Sequence, residues 1–255
     1  GLPAYTPTLE ENLFEPLSAA TIKSMREGDG GELSGSPSKM QAVHSSSTLG
    51  VNIFQYWQSI NQPEKIAEAC RFCNQPTAIS QSIRFEAKYP IDDRFRMGPN
   101  IDVVIENDPS AKHKVYAIEC KFTEAYGGRG HGGIKEKYLG LDLWKDIPHL
   151  HKLAILTSPN DIEYQYLHAA QLTKHILGLK RAYGKTGFRL LYLWYDALGY
   201  AGGIHREEIE RFIEIAKADG IYIHSISYQE LIFWMSANFR EDHQEYVDYI
   251  SNRYL

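Results

Sequence analysis

Residues 100–122 read NIDVVIENDPSAKHKVYAIECKF and contain two apolar segments separated by a polar one. The apolar, β-branched segments predict strands over 100–106 and 114–122. The intervening NDPSAKHK is rich in residues that favour turns, so the two strands should form an antiparallel hairpin. A third strand is predicted just before them, over 82–90, which extends the hairpin into a three-stranded meander.

The register of this hairpin decides which charged residues meet. If Glu106 pairs with Val115, the loop keeps eight residues, and Asp102 then lies directly across from Glu119. Opposed residues on antiparallel strands have Cβ atoms roughly 5 Å apart, and Lys121 lies about 6.6 Å further along the same face. Two carboxylates and one amine should therefore converge at one end of the hairpin.

Opposed carboxylates repel each other unless a cation lies between them. Mg²⁺ takes one or two protein carboxylates and completes its coordination with waters and phosphate oxygens, so it suits such a pair, and Mn²⁺ can substitute for it. The lysine can then orient a water or stabilise charge that develops on phosphorus. The alternative interpretation is a structural ion pair with no metal and no catalytic role.

The sequences PNID, at 99–102, and ECK, at 119–121, resemble the motif of the PD-(D/E)xK nuclease superfamily, which includes restriction endonucleases and repair or recombination nucleases. The resemblance implies that Asp102 and Glu119 are catalytic metal ligands. It also implies that the main-chain carbonyl of Cys120 is a further ligand and that Lys121 is the catalytic lysine. The match is imperfect, because two residues separate Pro99 from Asp102 where the motif has none.

The predicted elements around the hairpin match the αβββαβ-type core of that superfamily. Helices are predicted over 52–72, with a split or kink at Pro63, over 135–156 in shorter pieces, and over 162–179, 206–220 and 228–254; further strands are predicted over 188–196 and 221–227. This order predicts an α/β (α+β) fold, with a central mixed sheet flanked by helices. We expect one nuclease domain over 1–255, made of an extended N-terminal arm (1–50, with one short helix near 17–25), the core (52–227, with an added helix and strand) and C-terminal helices (228–255).

Two polar residues of the 162–179 helix lie four positions apart and therefore share one face. They are Gln171 and His175. A Gln-x-x-x-Tyr pattern beside the active site marks some recombination-type members of the superfamily, so the resemblance implies a supporting catalytic role for Gln171. An ordinary helix-surface position is the alternative, and we interpret His175 as a polar neighbour.

A further acid can complete such a site, and many superfamily members supply one from an N-terminal element. The candidates are Glu32, Glu64 and Glu68, together with Glu86 on the first strand. For each of them we favour the other interpretation, a solvated surface charge. Glu86 also begins a second Glu-x-Lys sequence, at 86–88, which we interpret as a chance match.

The charge distribution limits how a nucleic acid can bind. A net charge of −5 gives no general attraction, so a local basic patch must supply the contacts. Two groups of basic residues are candidates: Lys174, Lys180, Arg181, Lys185 and Arg189, and in the Gly-rich loop and just after it Arg129, His131, Lys135 and Lys137. They predict DNA as the partner, with RNA open, and a homodimer would place two active sites on opposite strands.

The composition narrows the class of protein further. The chain has 43% hydrophobic and 23% charged residues, as globular proteins do. Its apolar segments are shorter than the roughly 18 residues of a membrane-spanning helix, and its cysteines are few, so we expect a cytoplasmic protein with no membrane partner. Cys70 and Cys73 have zinc-site spacing but no second ligand pair, so we interpret them as helix-end residues.

Three functions follow from these residues. The first is a Mg²⁺-dependent endodeoxyribonuclease of restriction type, which hydrolyses DNA phosphodiester bonds through Asp102, Glu119 and Lys121. The second is a repair- or recombination-type nuclease that uses the same groups. The third is a catalytically silent nucleic-acid-binding module, which would be favoured by a broken site, whereas here all three groups are present.

Overall fold

The computed structural model describes residues 4–74, 79–95, 98–127 and 131–255. Five strands form one sheet in the order of the chain: β1 (Ser80–Lys88), β2 (Asn100–Asn107), β3 (Val115–Lys121), β4 (Phe188–Trp194) and β5 (Ile223–Ser227). The first three strands are antiparallel, whereas β3, β4 and β5 are parallel. The predicted mixed sheet is therefore confirmed.

Eight α-helices lie within the described residues. They are α1 (Ala19–Glu27), α2 (Ser46–Ser59), α3 (Pro63–Ala69), α4 (Pro148–Leu156), α5 (Ala169–Tyr183), α6 (Gly199–Ala218), α7 (Tyr228–Asn238) and α8 (Gln244–Tyr254). Buried residues of α4, α5 and α6 form a core on one face of the sheet. Residues of α1, α2, α3, α7 and α8 form a second core on the other face. The predicted α/β class, with helices flanking the sheet, is thus confirmed.

The β2–β3 hairpin has the predicted register. Glu106 pairs with Val115, and the pairing runs as far as Val103 opposite Ile118. One further step in the same register sets Asp102 against Glu119. The end of the hairpin therefore carries both acids on neighbouring strands.

The segment predicted as a helix over 52–72 is split at Pro63, as expected, but its first helix begins earlier than the sequence pattern placed it. The predicted 52–72 helix is two helices, because α3 starts at Pro63, and α2 starts earlier, at Ser46. The side chain of Ser45 accepts a hydrogen bond from the Thr48 main-chain N–H and caps this start. The apolar pattern missed the first turn of α2 because its residues are mostly small and polar.

The long helix predicted over 162–179 starts only at Ala169. The preceding main-chain N–H groups of Gln165, Tyr166 and Leu167 donate to the carboxylate of Glu208 on α6. These contacts hold the segment in an irregular conformation. Helix α5 nevertheless packs on the sheet through its apolar face, whose buried residues include Leu172 and Ile176.

The N-terminal segment is folded against the core and is not an extended arm. Leu13, Met25 and Met40 are buried in the same core as α2 and α8. The Ser24 hydroxyl donates to the carbonyl oxygen of Phe85 on β1 and accepts from the N–H of the same residue. These contacts hold α1 beside β1.

Gly178 of α5 packs closely against the residue that follows β1, because a Cβ atom there would overlap the carbonyl oxygen of Tyr89. We expect Gly178→Ala to lower the free energy of unfolding by about 1–3 kcal/mol, because backbone must move to admit the methyl group. Gly203 in α6 has no atom within 4 Å of its Cβ direction, so Gly203→Ala should instead raise it by about 0.5–1 kcal/mol. Urea unfolding of both variants checks these opposite signs, and equal effects would contradict the close approach.

Candidate active site

Three charged side chains meet at the end of the β2–β3 hairpin. The Lys121 Nζ atom lies 2.7 Å from Glu119 Oε1, and the Glu119 side chain is fully buried. Asp102 Oδ2 accepts a hydrogen bond of 2.7 Å from the main-chain N–H of Cys120. Asp102, Glu119 and Lys121 therefore form one group, in which 16% of the Lys121 side chain is exposed.

A fourth charged residue, Glu86, turns into this group through a distortion of β1. The β1–β2 pairing passes over Glu86 and Asp102, and Glu86 has a φ of 51°, a conformation that non-glycine residues seldom adopt. Its Oε2 atom accepts a 3.3 Å hydrogen bond from Asn100 Nδ2. Glu86 is thus not a solvated partner of Lys88, which instead pairs with Asp29 at 2.6 Å.

Helix α5 supplies a polar stripe that faces the hairpin. His175 Nε2 lies 2.7 Å from Glu119 Oε2, and both side chains are buried. His168, Gln171 and Lys174 line the same cleft, at helical spacings of three that keep them on one face. Sequence reasoning favoured Gln171 and treated His175 as a neighbour, but His175 is the residue that contacts Glu119.

The cleft above these residues has a volume of about 430 Å³. Its walls come from β1 and β2, from α5 and from the segment after α1, which contributes Asp29 and Glu32. Ser47 donates a 2.9 Å hydrogen bond to Glu32 Oε2 and holds it in this wall. Glu64 and Glu68 lie on α3, whose buried residues belong to the core on the other face, and neither lines the cleft.

The carboxylates of the site differ in their protonation. Burial alone would raise the pKa of Glu119, but Lys121 and His175 outweigh it and lower that pKa to about 2. Burial and then the charge of Glu119 raise the pKa of Asp102 well above its ordinary value, because its carboxyl group is enclosed although part of the residue is exposed. Burial, followed by the charges of Glu32 and Glu119, raises the pKa of Glu86 to about 7.

The ammonium group of Lys121 offsets only part of this negative charge. Burial alone would lower its pKa, but Glu119 and Asp102 raise the pKa above the ordinary value of lysine. Lys121 is therefore protonated at neutral pH. The raised pKa values of Asp102 and Glu86 show that their ionised forms are unfavourable beside Glu119, and a further cation in the cleft would stabilise those ionised forms.

The oxygen atoms suit a hard divalent ion. The Lys121 carbonyl accepts a hydrogen bond from the main-chain N–H of Tyr195, which follows β4. Successive carbonyl groups of a strand point to opposite neighbours. The Cys120 carbonyl therefore points to the other neighbour of β3, towards β2 and Asp102. Over the described part of the chain, no group of three or more His, Cys, Asp or Glu side chains forms a metal-binding cluster. Mg²⁺ does not need one, since one or two carboxylates with waters and substrate oxygens satisfy it.

A family model described as Restriction Endonuclease associating with ARP matches residues 2–255. The chain belongs to this restriction endonuclease family. The predicted restriction-endonuclease-like resemblance is thereby confirmed, and the family places the chain among nucleases. No curated protein and no solved structure matches the chain.

The basic residues that the sequence grouped together do not form one patch in the folded chain. Lys180, Arg181 and Lys185 form ion pairs with aspartates. Arg189 donates to the main-chain carbonyl of Phe72. Lys174 alone of the five lines the cleft, and Arg129 of the Gly-rich loop lies outside the described residues.

The two cysteines with zinc-site spacing sit at the end of α3. Cys70 is the last residue of that helical turn, and its carbonyl accepts from His224 Nε2 at 2.9 Å. Burial and then the charge of Cys73 raise the pKa of the Cys70 thiol. The buried thiol is held protonated, which does not favour zinc binding.

No helix among the described residues is long and apolar enough to cross a membrane.

Proposed function

We propose that this restriction endonuclease hydrolyses DNA phosphodiester bonds with the help of Mg²⁺, for which Mn²⁺ can substitute. The observation that carries the proposal is the convergence of Asp102, Glu119 and Lys121 at the end of the hairpin. Asp102, Glu119 and the Cys120 carbonyl would hold the ion. When bound, the ion supplies positive charge that polarises the phosphodiester and makes water a better nucleophile.

Lys121 acts as a charged donor to the phosphate. Its ammonium group is fixed 2.7 Å from Glu119 Oε1 and is kept protonated by the neighbouring acids. A protonated amine cannot accept a proton from water, so its part is to orient the phosphate and to stabilise the charge that develops on it. Gln171 lines the same cleft as a neutral group, and its amide can bind a phosphate oxygen or a water.

His175 fixes the orientation of Glu119 through the 2.7 Å contact between their side chains. We expect His175→Ala to weaken apparent Mg²⁺ affinity by about 10- to 100-fold, as is typical when a partner of a metal ligand is removed. His175→Gln keeps a donor near the same place and should lose less. Titration of cleavage rate with Mg²⁺ checks this, and equal loss in both variants would show that the hydrogen bond has no such role.

The substrate and the mode of cutting are tested with purified protein and three substrates: supercoiled DNA, linear DNA and RNA. We expect Mg²⁺ or Mn²⁺ to support cutting within the DNA and EDTA to abolish it. Linearised circles would establish an endonuclease. Cutting only from DNA ends would favour the second candidate, a repair- or recombination-type nuclease, for which the position of Gln171 and His175 on α5 beside the acids is the supporting observation.

A catalytically silent binding module is less well supported. Such a module has no need to keep two repelling carboxylates and a lysine together, because that arrangement costs stability. If the protein binds DNA but cuts no substrate with any divalent ion, the silent module becomes the better description.

The remaining proposals concern partners and location. The family description names association with ARP, and we propose that this chain has the same association. We also propose that the enzyme acts in the cytoplasm and forms a homodimer that cuts both strands. Sedimentation of the protein alone and with duplex DNA measures whether the dimer forms.

A further inference from the structure

Lys174 is a half-buried cation in the wall of the cleft. No Asp, Glu or chain carbonyl among the described residues forms an ion pair or hydrogen bond with its ammonium group, in contrast to the paired Lys180 and Lys185. An ammonium group that loses water without gaining a partner is unfavourable, so such a group favours an anionic ligand. Lys174 precedes His175 on α5, and His175 contacts Glu119. The Lys174 ammonium group therefore lies near the acidic site without forming an ion pair with one of its carboxylates.

Two more lysines extend the positive charge away from the site. The segment that carries them lies against the start of α5, because the His131 ring stacks on that of His168, a cleft residue, with 5.0 Å between the ring centres. Burial, followed by the charges of Lys135 and Lys137, lowers the pKa of Lys174. The Lys137 Nζ atom lies 4.4 Å from the ring centre of Phe95 and 5.0 Å from that of Tyr138. These rings orient the amine without neutralising it. Lys135 and Lys137 are exposed and form no ion pair with any residue that the structure describes.

The opposite wall of the cleft is acidic. Asp29, Glu32 and Glu86 line it. Lys88 lies 2.6 Å from Asp29 and Lys39 lies 3.7 Å from Glu32, whereas no basic residue in the described ranges forms an ion pair with Glu86. A polyanion in the cleft is therefore repelled by one wall and attracted by the other.

We propose that Lys174, Lys135 and Lys137 form a phosphate track that holds the backbone of the DNA strand next to the cleaved bond. This inference rests on the proposed nuclease function and adds the side of the cleft along which the strand runs. Lys174 binds the phosphate nearest the reacting one, and the two exposed lysines bind phosphates further along. Contacts of this kind position the strand without reading its sequence.

The test is the salt dependence of DNA binding, measured with Ca²⁺ in place of Mg²⁺ to limit cutting. Each phosphate contact that is lost should reduce the slope of log K against log salt by about 0.9. We therefore expect a reduction of about 0.9 for Lys174→Gln and about 1.8 for Lys135→Gln with Lys137→Gln. Lys174→Arg keeps the charge and should keep the slope.

The matched control is Lys217→Gln, which removes the same charge at the other edge of the sheet. Lys217 lies with Tyr222 and Ile223 beside the start of β5, whereas the cleft lies at the end of β3. This variant should leave the slope unchanged. If the Lys135 and Lys137 double variant and Lys174→Gln both match Lys217→Gln, the phosphate track is wrong.

That result would leave the nuclease proposal intact, because Mg²⁺-dependent cutting by the unmodified protein is measured separately. If the unmodified protein neither binds nor cuts DNA, the proposed function fails and the track fails with it. The double variant concerns exposed side chains, so loss of folding cannot account for its result.

Discussion

Replacement of Lys121 by glutamine is expected to slow DNA cleavage by about 10²- to 10⁴-fold, the usual effect of removing one charged donor from a phosphate or oxyanion site. The ammonium group of Lys121 contacts the buried carboxylate of Glu119 at the hairpin end. Glutamine can still donate to Glu119, so the fold should persist, but it brings no charge to the phosphate. Single-turnover cleavage at saturating DNA measures the loss without a contribution from binding.

The control for this prediction is again Lys217→Gln, which should cut at the unmodified rate. This substitution removes one positive charge far from the hairpin end. A Lys121→Gln enzyme that cuts within about threefold of the unmodified rate would mean that Lys121 only balances charge, since a threefold change is about 0.65 kcal/mol.

Replacement of Asp102 by asparagine should abolish metal-dependent cleavage and, unusually for a buried site, stabilise the metal-free protein. Loss of a metal ligand removes several kcal/mol of transition-state stabilisation, or about 10³-fold in rate or more. Burial and Glu119 together raise the pKa of Asp102, so its ionised form destabilises the folded state at neutral pH. Asparagine keeps an acceptor for the Cys120 N–H, and we expect a gain of about 1–3 kcal/mol in the free energy of unfolding.

The gain should depend on pH and on metal. Since the pKa of Asp102 is raised in the folded state, only the unfolded chain ionises this carboxyl group as the pH passes the ordinary aspartate pKa, which favours unfolding. The advantage of asparagine should therefore grow from about pH 4 upwards. Excess Mg²⁺ stabilises only the unmodified protein and should narrow the difference. Thermal unfolding with and without Mg²⁺ measures both effects.

Asp219 provides a control of opposite sign for this substitution. It is buried, and its carboxylate accepts the main-chain N–H groups of His149 and Leu150 at 3.1 and 2.7 Å. Asp219→Asn should therefore destabilise the start of α4 and leave the chemistry of cleavage unchanged. If Asp102→Asn destabilises the metal-free protein as Asp219→Asn does, Asp102 is a structural residue and its repulsion with Glu119 has been overestimated.

The hairpin and its charged residues were predictable because strand pairing is a local property with a period of two. Pairing Glu106 with Val115 sets Asp102 opposite Glu119, and the structure has this Glu106–Val115 pair. The class of fold followed in the same way, from the alternation of strands and helices after the meander. Short sequence separation and regular geometry made both predictions possible.

The contact between His175 and Glu119 was not predictable, because it joins residues 56 positions apart. Helical spacing shows that His175 and Gln171 share a face, but not which of them is level with the end of β3. Glu86 was named only as one of several candidate acids, because glutamate gives no sequence signal for its φ of 51°, which accompanies the turn of the side chain into the cleft. The N-terminal segment was misjudged because its buried apolar residues are widely spaced.

The central claim is that the end of the hairpin binds the divalent ion used for cleavage. Electron paramagnetic resonance of Mn²⁺ added to the unmodified protein and to Asp102→Asn, without DNA, tests it most directly. We expect a bound-Mn²⁺ signal with the unmodified protein that Mg²⁺ competes away and that Asp102→Asn lacks. Equal Mn²⁺ binding by both proteins, or none by either, would contradict the claim.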